Sequence, residues 1–150
     1  MSFEVHIYGV LDPHSIEYIH RNGLDEIVHF GGKVPFLDSL ALMKGADFLL
    51  LIDAPLKNHL ESVFLPSKLI DYMGSGRPVI GVTPLRGASA RVLRETGNFL
   101  CNLAEIRTIE ETLEAINTGQ LNPEMNLSAI DKYHYRNVVA KLDKIFQELQ

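Results

Sequence analysis

The chain has 150 residues, 46% hydrophobic and 22% charged, with a formal net charge of −5 and one cysteine. That length suffices for one compact domain with a core, the acidic balance excludes a broad basic surface for DNA or RNA, and the lone Cys101 excludes an intramolecular disulfide framework and reads as a small buried residue. No apolar run approaches the roughly 20 residues that cross a bilayer, and no basic region precedes an apolar core at the N-terminus, so the expected compartment is the cytoplasm, with peripheral membrane contact left open.

The first apolar, β-rich run is FEVHIYGV (3–10). A helical stretch follows, DPHSIEYIHRNG (12–23), opened by an Asp-Pro pair and closed by glycine. EIVHFGG (26–32) is the second strand candidate, FLDSLALMKGA (36–46) the second helix, and DFLLLIDA (47–54) the third strand. LPSKLIDYMGSG (65–76) reads as a helix with Pro66 in its first turn and glycines after its last, then PVIGVT (78–83) as a strand, GASARVLRETG (87–97) as a helix and NFLCNL (98–103) as the fifth strand. EIRTIEETLEAINTG (105–119) predicts another helix, a polar turn covers 117–127, and a last helix runs over about 129–149. Its Val138, Val139, Leu142, Ile145, Phe146 and Leu149 keep a helical period and predict one buried face. The central strands are almost continuously apolar, as parallel strands covered on both faces are, and strand–helix alternation predicts an α/β fold with a parallel sheet.

In an open parallel sheet, ligands bind beyond the carboxyl ends of the strands. The chain brings Gly9, the Gly31-Gly32-Lys33-Val34 turn, Asp53, and Thr83 with the PLRGAS turn to that edge. Glycines let backbone approach a ligand, and the helix starting near Gly87, Ala88 and Ser89 presents free N–H groups that suit a phosphate; tight turns alone also account for such glycines. Neither G-x-G-x-x-G nor a Walker A lysine motif is present. Lys68 and Asp71, three apart, share a helix face. A lysine there can meet a phosphate as a point charge, and a carboxylate can accept from a ribose diol; spacing alone equally fits an exposed ion pair worth a few tenths of a kcal/mol. His6, His29 and His59 lie toward that edge, but the histidines are scattered, no His/Asp/Glu cluster has ligand spacing, and no metal is expected.

The run from Phe30 to Gly97 resembles the C-terminal, donor-binding domain of GT-B glycosyltransferases, in particular the family-4 group of retaining sugar transferases. The matching features come in order: VHFGGKVP, a helix ending in KGADFLLLI, ESVFLPSKLIDYMGSGRPVIG, and LRGASARVLRETG. The F-L-P-S-K-L-I-D-Y-M-G-S-G-R-P-V-I string is the most specific. The resemblance implies a three-layer, Rossmann-like, doubly wound sheet of five parallel strands in the order 2-1-3-4-5, followed by C-terminal helices, as one domain over 1–150. It implies a nucleotide diphosphate sugar as donor substrate, no metal or other cofactor, and transfer of the sugar to an acceptor in glycan or polysaccharide assembly. Asp71 would bind the ribose hydroxyls, in place of the family's glutamate and one methylene shorter. The family's sugar-contacting acid, eight residues earlier, falls on Val63; Glu61 is the nearest acid, two residues out of register. Catalytic roles therefore fall to Glu61 and Lys68, and nucleotide or sugar contacts to Gly9, Gly32, Lys33, Val34, Asp71, Gly87, Ala88 and Ser89. The acceptor-binding N-terminal domain and the first strand of the donor domain are expected to be missing from the chain, which would make that domain a partner and leave room for peripheral membrane association of a full-length enzyme.

A second reading is a non-catalytic signalling domain of the phospho-receiver type, or another nucleotide-binding signalling module. Asp53 and Thr83 fall where a phospho-acceptor and its switch residue would, but the first strand ends without an acidic pair and the fifth without a lysine. A sugar-nucleotide epimerase shares the architecture, yet its catalytic segments have no match in the chain.

Overall fold

The computed structural model describes residues 3–53, 61–62 and 64–149, with the backbone alone of Glu61 and Ser62. The chain forms two compact units, Met1–Gly45 and Ala46–Gln150.

The first unit is β1 (Val5–Tyr8), α1 (Pro13–Arg21), β2 (Val28–Gly32) and α2 (Phe36–Gly45). β1 and β2 are parallel, with Val5 opposite Val28, His6 opposite His29 and Ile7 opposite Phe30; the register then slips so that Tyr8 faces Gly32. Gly31 is the residue bulged out by the slip. A Cβ there would lie 2.1 Å from the Tyr8 ring, so the missing side chain admits the tyrosine. Asp12 caps α1 by accepting from the Ser15 N–H at 3.0 Å, with Pro13 in the first turn. Ile19 is the one fully buried large apolar residue of this unit among the described residues.

The second unit contains β3 (Leu49–Ile52), β4 (Glu61–Ser62), α3 (Ser67–Ser75), β5 (Val79–Thr83), β6 (Arg86–Gly87), α4 (Ala88–Glu95), β7 (Phe99–Asn102), α5 (Ile106–Asn117), α6 (Leu127–Asp131) and α7 (Tyr135–Glu148). β3, β5 and β7 form a parallel sheet with β5 in the middle, and β4 and β6 make a separate two-residue parallel ladder. On one face of the sheet Ile80, Val82, Phe99 and Cys101 pack under Ile109, Leu113 and Ile116 of α5. The other face receives α3 and α4 through Leu69, Met73, Val92 and Leu93, all buried. Gly81 is the point of closest approach: a Cβ there would meet a Leu93 methyl at 2.2 Å.

The amino edge of this sheet is closed by side chains. Asn98 accepts from the Val79 N–H at 2.7 Å and donates to Thr96 Oγ1 at 2.8 Å. Gly97 ends α4 at φ 70°, and the segment before α6 crosses directly over it, with the Asn126 N–H donating to Thr96 O at 2.9 Å and the Glu124 carbonyl where a Cβ would stand.

The α/β class, the parallel sense of every ladder and the five strands hold. The described ladders are a two-stranded and a three-stranded sheet plus the short β4–β6 pair; one five-stranded sheet is not among them. The expected last helix differs in two ways. It breaks after Asp131, because the Asp131 carbonyl accepts from the His134 N–H at 3.0 Å and from Asn137 Nδ2 at 2.7 Å instead of continuing the ladder. Its apolar stripe is not buried: Val138, Val139, Leu142, Ile145, Phe146 and Leu149 are all exposed, since period alone makes a stripe without supplying a surface to cover it. The break leaves Lys132 and Tyr133 free to reach Glu95 on α4, an ion pair with Lys132 and a hydrogen bond from Tyr133 at 3.1 Å. No helix among the described residues is long and apolar enough to cross a membrane.

Two outcomes follow from this packing. Leu93→Ala, at 0% exposure beneath Gly81, should cost about 2–5 kcal/mol, whereas Leu142→Ala on the open stripe should stay within about 0.5 kcal/mol; urea denaturation of both variants separates a packed helix from an uncovered one. The Glu95 contact should also show two pH limits. The hydrogen bonds from Lys132 and then Tyr133 hold the Glu95 carboxyl below its ordinary value, so its contribution, present above the unfolded-state value, is lost as pH falls through the folded one. Lys132 is raised by its hydrogen bond to Glu95, and Tyr133 is raised first by burial and then by Glu95. Their contribution is therefore lost as pH rises into the alkaline range. Amide exchange across residues 127–133 should slow between these limits, and Glu95→Gln should flatten the acid one; an unchanged acid limb in that variant would contradict the assignment.

Candidate functional site

In the three-stranded sheet, β3 and β5 are parallel neighbours, so the chain between them must return from the carboxyl edge to the amino edge. α3 makes the return and therefore starts at the carboxyl edge; α4, between β5 and β7, does so for the same reason. The β4–β6 ladder ties the segments leading into these two helices together, Glu61 opposite Arg86 and Ser62 opposite Gly87. Arg94 reinforces the turn before α4 by donating to the Leu85 carbonyl at 2.7 Å.

Beneath this edge lies a buried polar knot. Asp53, directly after β3, is 5% exposed. Its Oδ2 accepts from Ser89 Oγ at 2.7 Å and, more weakly, from Thr83 Oγ1 at 3.4 Å. Its backbone N–H donates to Val82 O at 3.0 Å, extending the β3–β5 pairing by one residue. A carboxylate at this depth has to be hydrogen-bonded, and Ser89, on the first turn of α4, meets that need while fixing where the helix begins. Ser89 Oγ also lies 3.5 Å from the Phe64 carbonyl. Thr83 stands beside Asp53, as the receiver reading requires, and the Asp53 carboxyl is buried and hydrogen-bonded to both hydroxyls.

The residues singled out in the sequence fall as follows. Gly87 is the N-cap of α4 at φ 130°, a conformation that suits glycine, and brings no side-chain cap, so among the described residues no capping side chain serves the first-turn N–H groups. Ala88 is half-buried and Ser89 buried. Sequence reasoning assigned Ser89 through its backbone; its hydroxyl is committed to Asp53, a role signalled only by the Asp at one strand end and the Ser at the next helix start. Lys68 and Asp71 are both exposed on α3, while Leu69 and Met73 face the core. They form neither an ion pair nor a hydrogen bond with each other. Asp71 is felt by its neighbour Tyr72, whose hydroxyl is pushed up by burial first and by that charge second. Glu61 has its backbone in β4; its side chain, like His59 and Val63, lies outside the described residues.

The remaining candidates belong to the first unit. Gly9 (φ 131°), just past β1, and Gly32 (φ 65°), the last residue of β2, are joined by a hydrogen bond from the Gly9 N–H to Gly32 O at 2.8 Å. Lys33 is exposed and Val34 half-buried in the turn before α2. The chain matches no protein-family model, and no curated protein matches it.

Ser89→Ala removes the 2.7 Å hydrogen bond to the buried Asp53 carboxyl and should cost about 1–3 kcal/mol. Thr83→Val, which removes only the 3.4 Å contact to Asp53 and an equally long one to Pro84 O, should cost less. Urea midpoints for the two variants test that order.

Proposed function

We propose that the carboxyl edge formed by the starts of α3 and α4 binds the nucleoside diphosphate part of a nucleotide-sugar, and that the chain is the donor-binding part of a retaining sugar transferase acting in glycan or polysaccharide assembly. The observation that carries this reading is Lys68. It occupies the second position of α3, where the positive end of the helix dipole disfavours a cation by roughly 0.3–1 kcal/mol, and no acid stands in that first turn to offset it. Helix stability thus gives no reason for a lysine there, and Asp71 does not pair with it. A diphosphate would meet both the ammonium and the uncapped N–H groups of α4. Asp71, one turn further along, would accept from the ribose hydroxyls.

The chemistry is transfer of the sugar from the diphosphate to an acceptor hydroxyl with retention at the anomeric carbon. The protein contributes positioning and neutralisation of the charge that builds on the leaving diphosphate. Lys68 and the α4 start take the second role, and Glu61 the contact to the sugar. Gly9, Gly32, Lys33 and Val34, around the ends of β1 and β2 in the first unit, keep the nucleotide or sugar contacts that the resemblance implies. An acceptor-binding domain would be the partner of this edge, and the chain alone should bind nucleotide weakly, in the millimolar range near −4 kcal/mol, without sugar transfer.

Calorimetric titration with uridine, guanosine and adenosine diphosphates is the test. Lys68→Ala should weaken diphosphate binding by roughly tenfold, or about 1.4 kcal/mol, hardly change nucleoside binding, and leave stability equal or a few tenths of a kcal/mol higher. Asp71→Asn should weaken nucleoside and nucleotide alike, because charge-assisted bonds to the diol are the stronger kind. Equal affinities for all three proteins would sink the proposal.

A further inference from the structure

The histidines that look scattered along the chain are not scattered in the first unit. His6 and His29 are register partners across the parallel β1–β2 pair, so both imidazoles leave the same face, with ring centroids 5.0 Å apart and planes tilted by 37°. Glu4 is two residues before His6, and the strand period of two returns it to that face; its Oε2 lies 3.4 Å from His6 Nε2. One ligand atom from each of Glu4, His6 and His29 lies within 4.8 Å of the other two. Glu4 and His6 are exposed and His29 is half-buried.

We propose that Glu4, His6 and His29 form a binding site for one divalent cation of the Zn²⁺ class. Two imidazoles and a carboxylate are a donor set that favours borderline cations such as Zn²⁺ and Co²⁺ over the hard, oxygen-seeking Mg²⁺ and Ca²⁺. Metal–ligand bonds of about 2.0–2.2 Å place tetrahedral ligand atoms about 3.3–3.5 Å apart, so the Glu4–His6 pair at 3.4 Å already has that spacing and separations up to 4.8 Å need to close by about 1.5 Å or less. Rotation of exposed side chains supplies that motion without moving the backbone, whose register already sets the two rings side by side. Three protein ligands leave a fourth position for water or an exchangeable group. An exposed Glu–His pair is by itself of little consequence; the third donor, delivered across the ladder from a residue 23 positions away (29 − 6), is what makes the cluster a chelate. The consequence is mechanical. A cation held by both strands staples a pair whose unit has Ile19 as its one fully buried large apolar residue among those described, and a ligand that binds only the folded form stabilises it by mass action.

The experiment uses the full chain stripped with a chelator. Cobalt(II) titrated by visible absorption should give one equivalent with the intense bands of a four-coordinate site, displaced by Zn²⁺ and not by Mg²⁺. His6→Ala and His29→Ala should each weaken Zn²⁺ binding at least tenfold and Glu4→Gln severalfold, while His14→Ala and His20→Ala leave it unchanged. Circular dichroism checks that the variants fold, and Zn²⁺-induced shifts of the His6 and His29 ring resonances in the unaltered chain provide a reading that needs no variant. Zn²⁺ affinity equal in the wild type and in the His6 and His29 variants, loss of binding with His20→Ala instead, or ring resonances of His6 and His29 that do not respond to Zn²⁺ would each overturn the proposal.

Discussion

Everything in the larger unit depends on the burial of β5. Val79 to Thr83 have water on neither face, and a parallel partner lies along each edge. Such a strand can carry no unpaired backbone group and no side chain that fails to fit its neighbours. Gly81 is the visible result: the strand forgoes a side chain so that Leu93 of α4 can sit against its backbone. Because β3 and β7 both run parallel to β5, each connection must cross back over the sheet, and the helices that do so begin at one edge. The convergence of two helix N-termini on that edge thus follows from how the central strand is buried, before any ligand is considered.

The two edges of the sheet then differ in kind. At the amino edge, Asn98 and Thr96 use neutral side chains to satisfy backbone groups and one another. At the carboxyl edge a full carboxylate, Asp53, is buried and held by hydroxyls from two different elements. A buried carboxylate is costly unless its partners are in place, so the knot sets the height at which α4 can start. With Ser89 turned inward to Asp53, the helix begins on a glycine that makes no side-chain cap hydrogen bond. Structure and the proposed anion site are coupled here: the residue that anchors the helix, Ser89, lies in its first turn.

Much of this was legible in the sequence for local reasons. The five main strands and the helices between them appear within two residues of the predicted bounds at either end, because uninterrupted Val/Ile/Leu runs, Pro66 and the terminal glycines act locally. What was not legible depends on partners. Helical period marked the stripe on α7 without saying that its side chains stay exposed. Asn137 and His134 look like ordinary helix residues until the Asp131 carbonyl turns to them. His6 and His29 each follow a valine in an apolar run, Val-His-Ile and Val-His-Phe, but only the parallel register puts the two rings side by side; a register one residue different would send them to opposite faces. Gly31 was legible as a place of close approach, yet what approaches it is the Tyr8 ring rather than a ligand.

The Lys68–Asp71 spacing shows how far a pattern reaches before geometry has to decide. Three apart on a helix predicts neighbours, and neighbours of opposite sign invite pairing. Yet the order is the weaker one, cation before anion, whereas a pair aligned with the helix dipole places the acid first. Aspartate is short, both groups are exposed, and any bond between them would be worth only a few tenths of a kcal/mol while fixing two mobile side chains. The pair accordingly does not close. Each charge keeps its full capacity for another partner, and the position of each limits what that partner can be: for Lys68 an anion at a helix start, and for Asp71, one turn along, a donor of hydrogen bonds. A molecule with an anionic group at one end and neighbouring hydroxyls about one helical turn away would satisfy both at once.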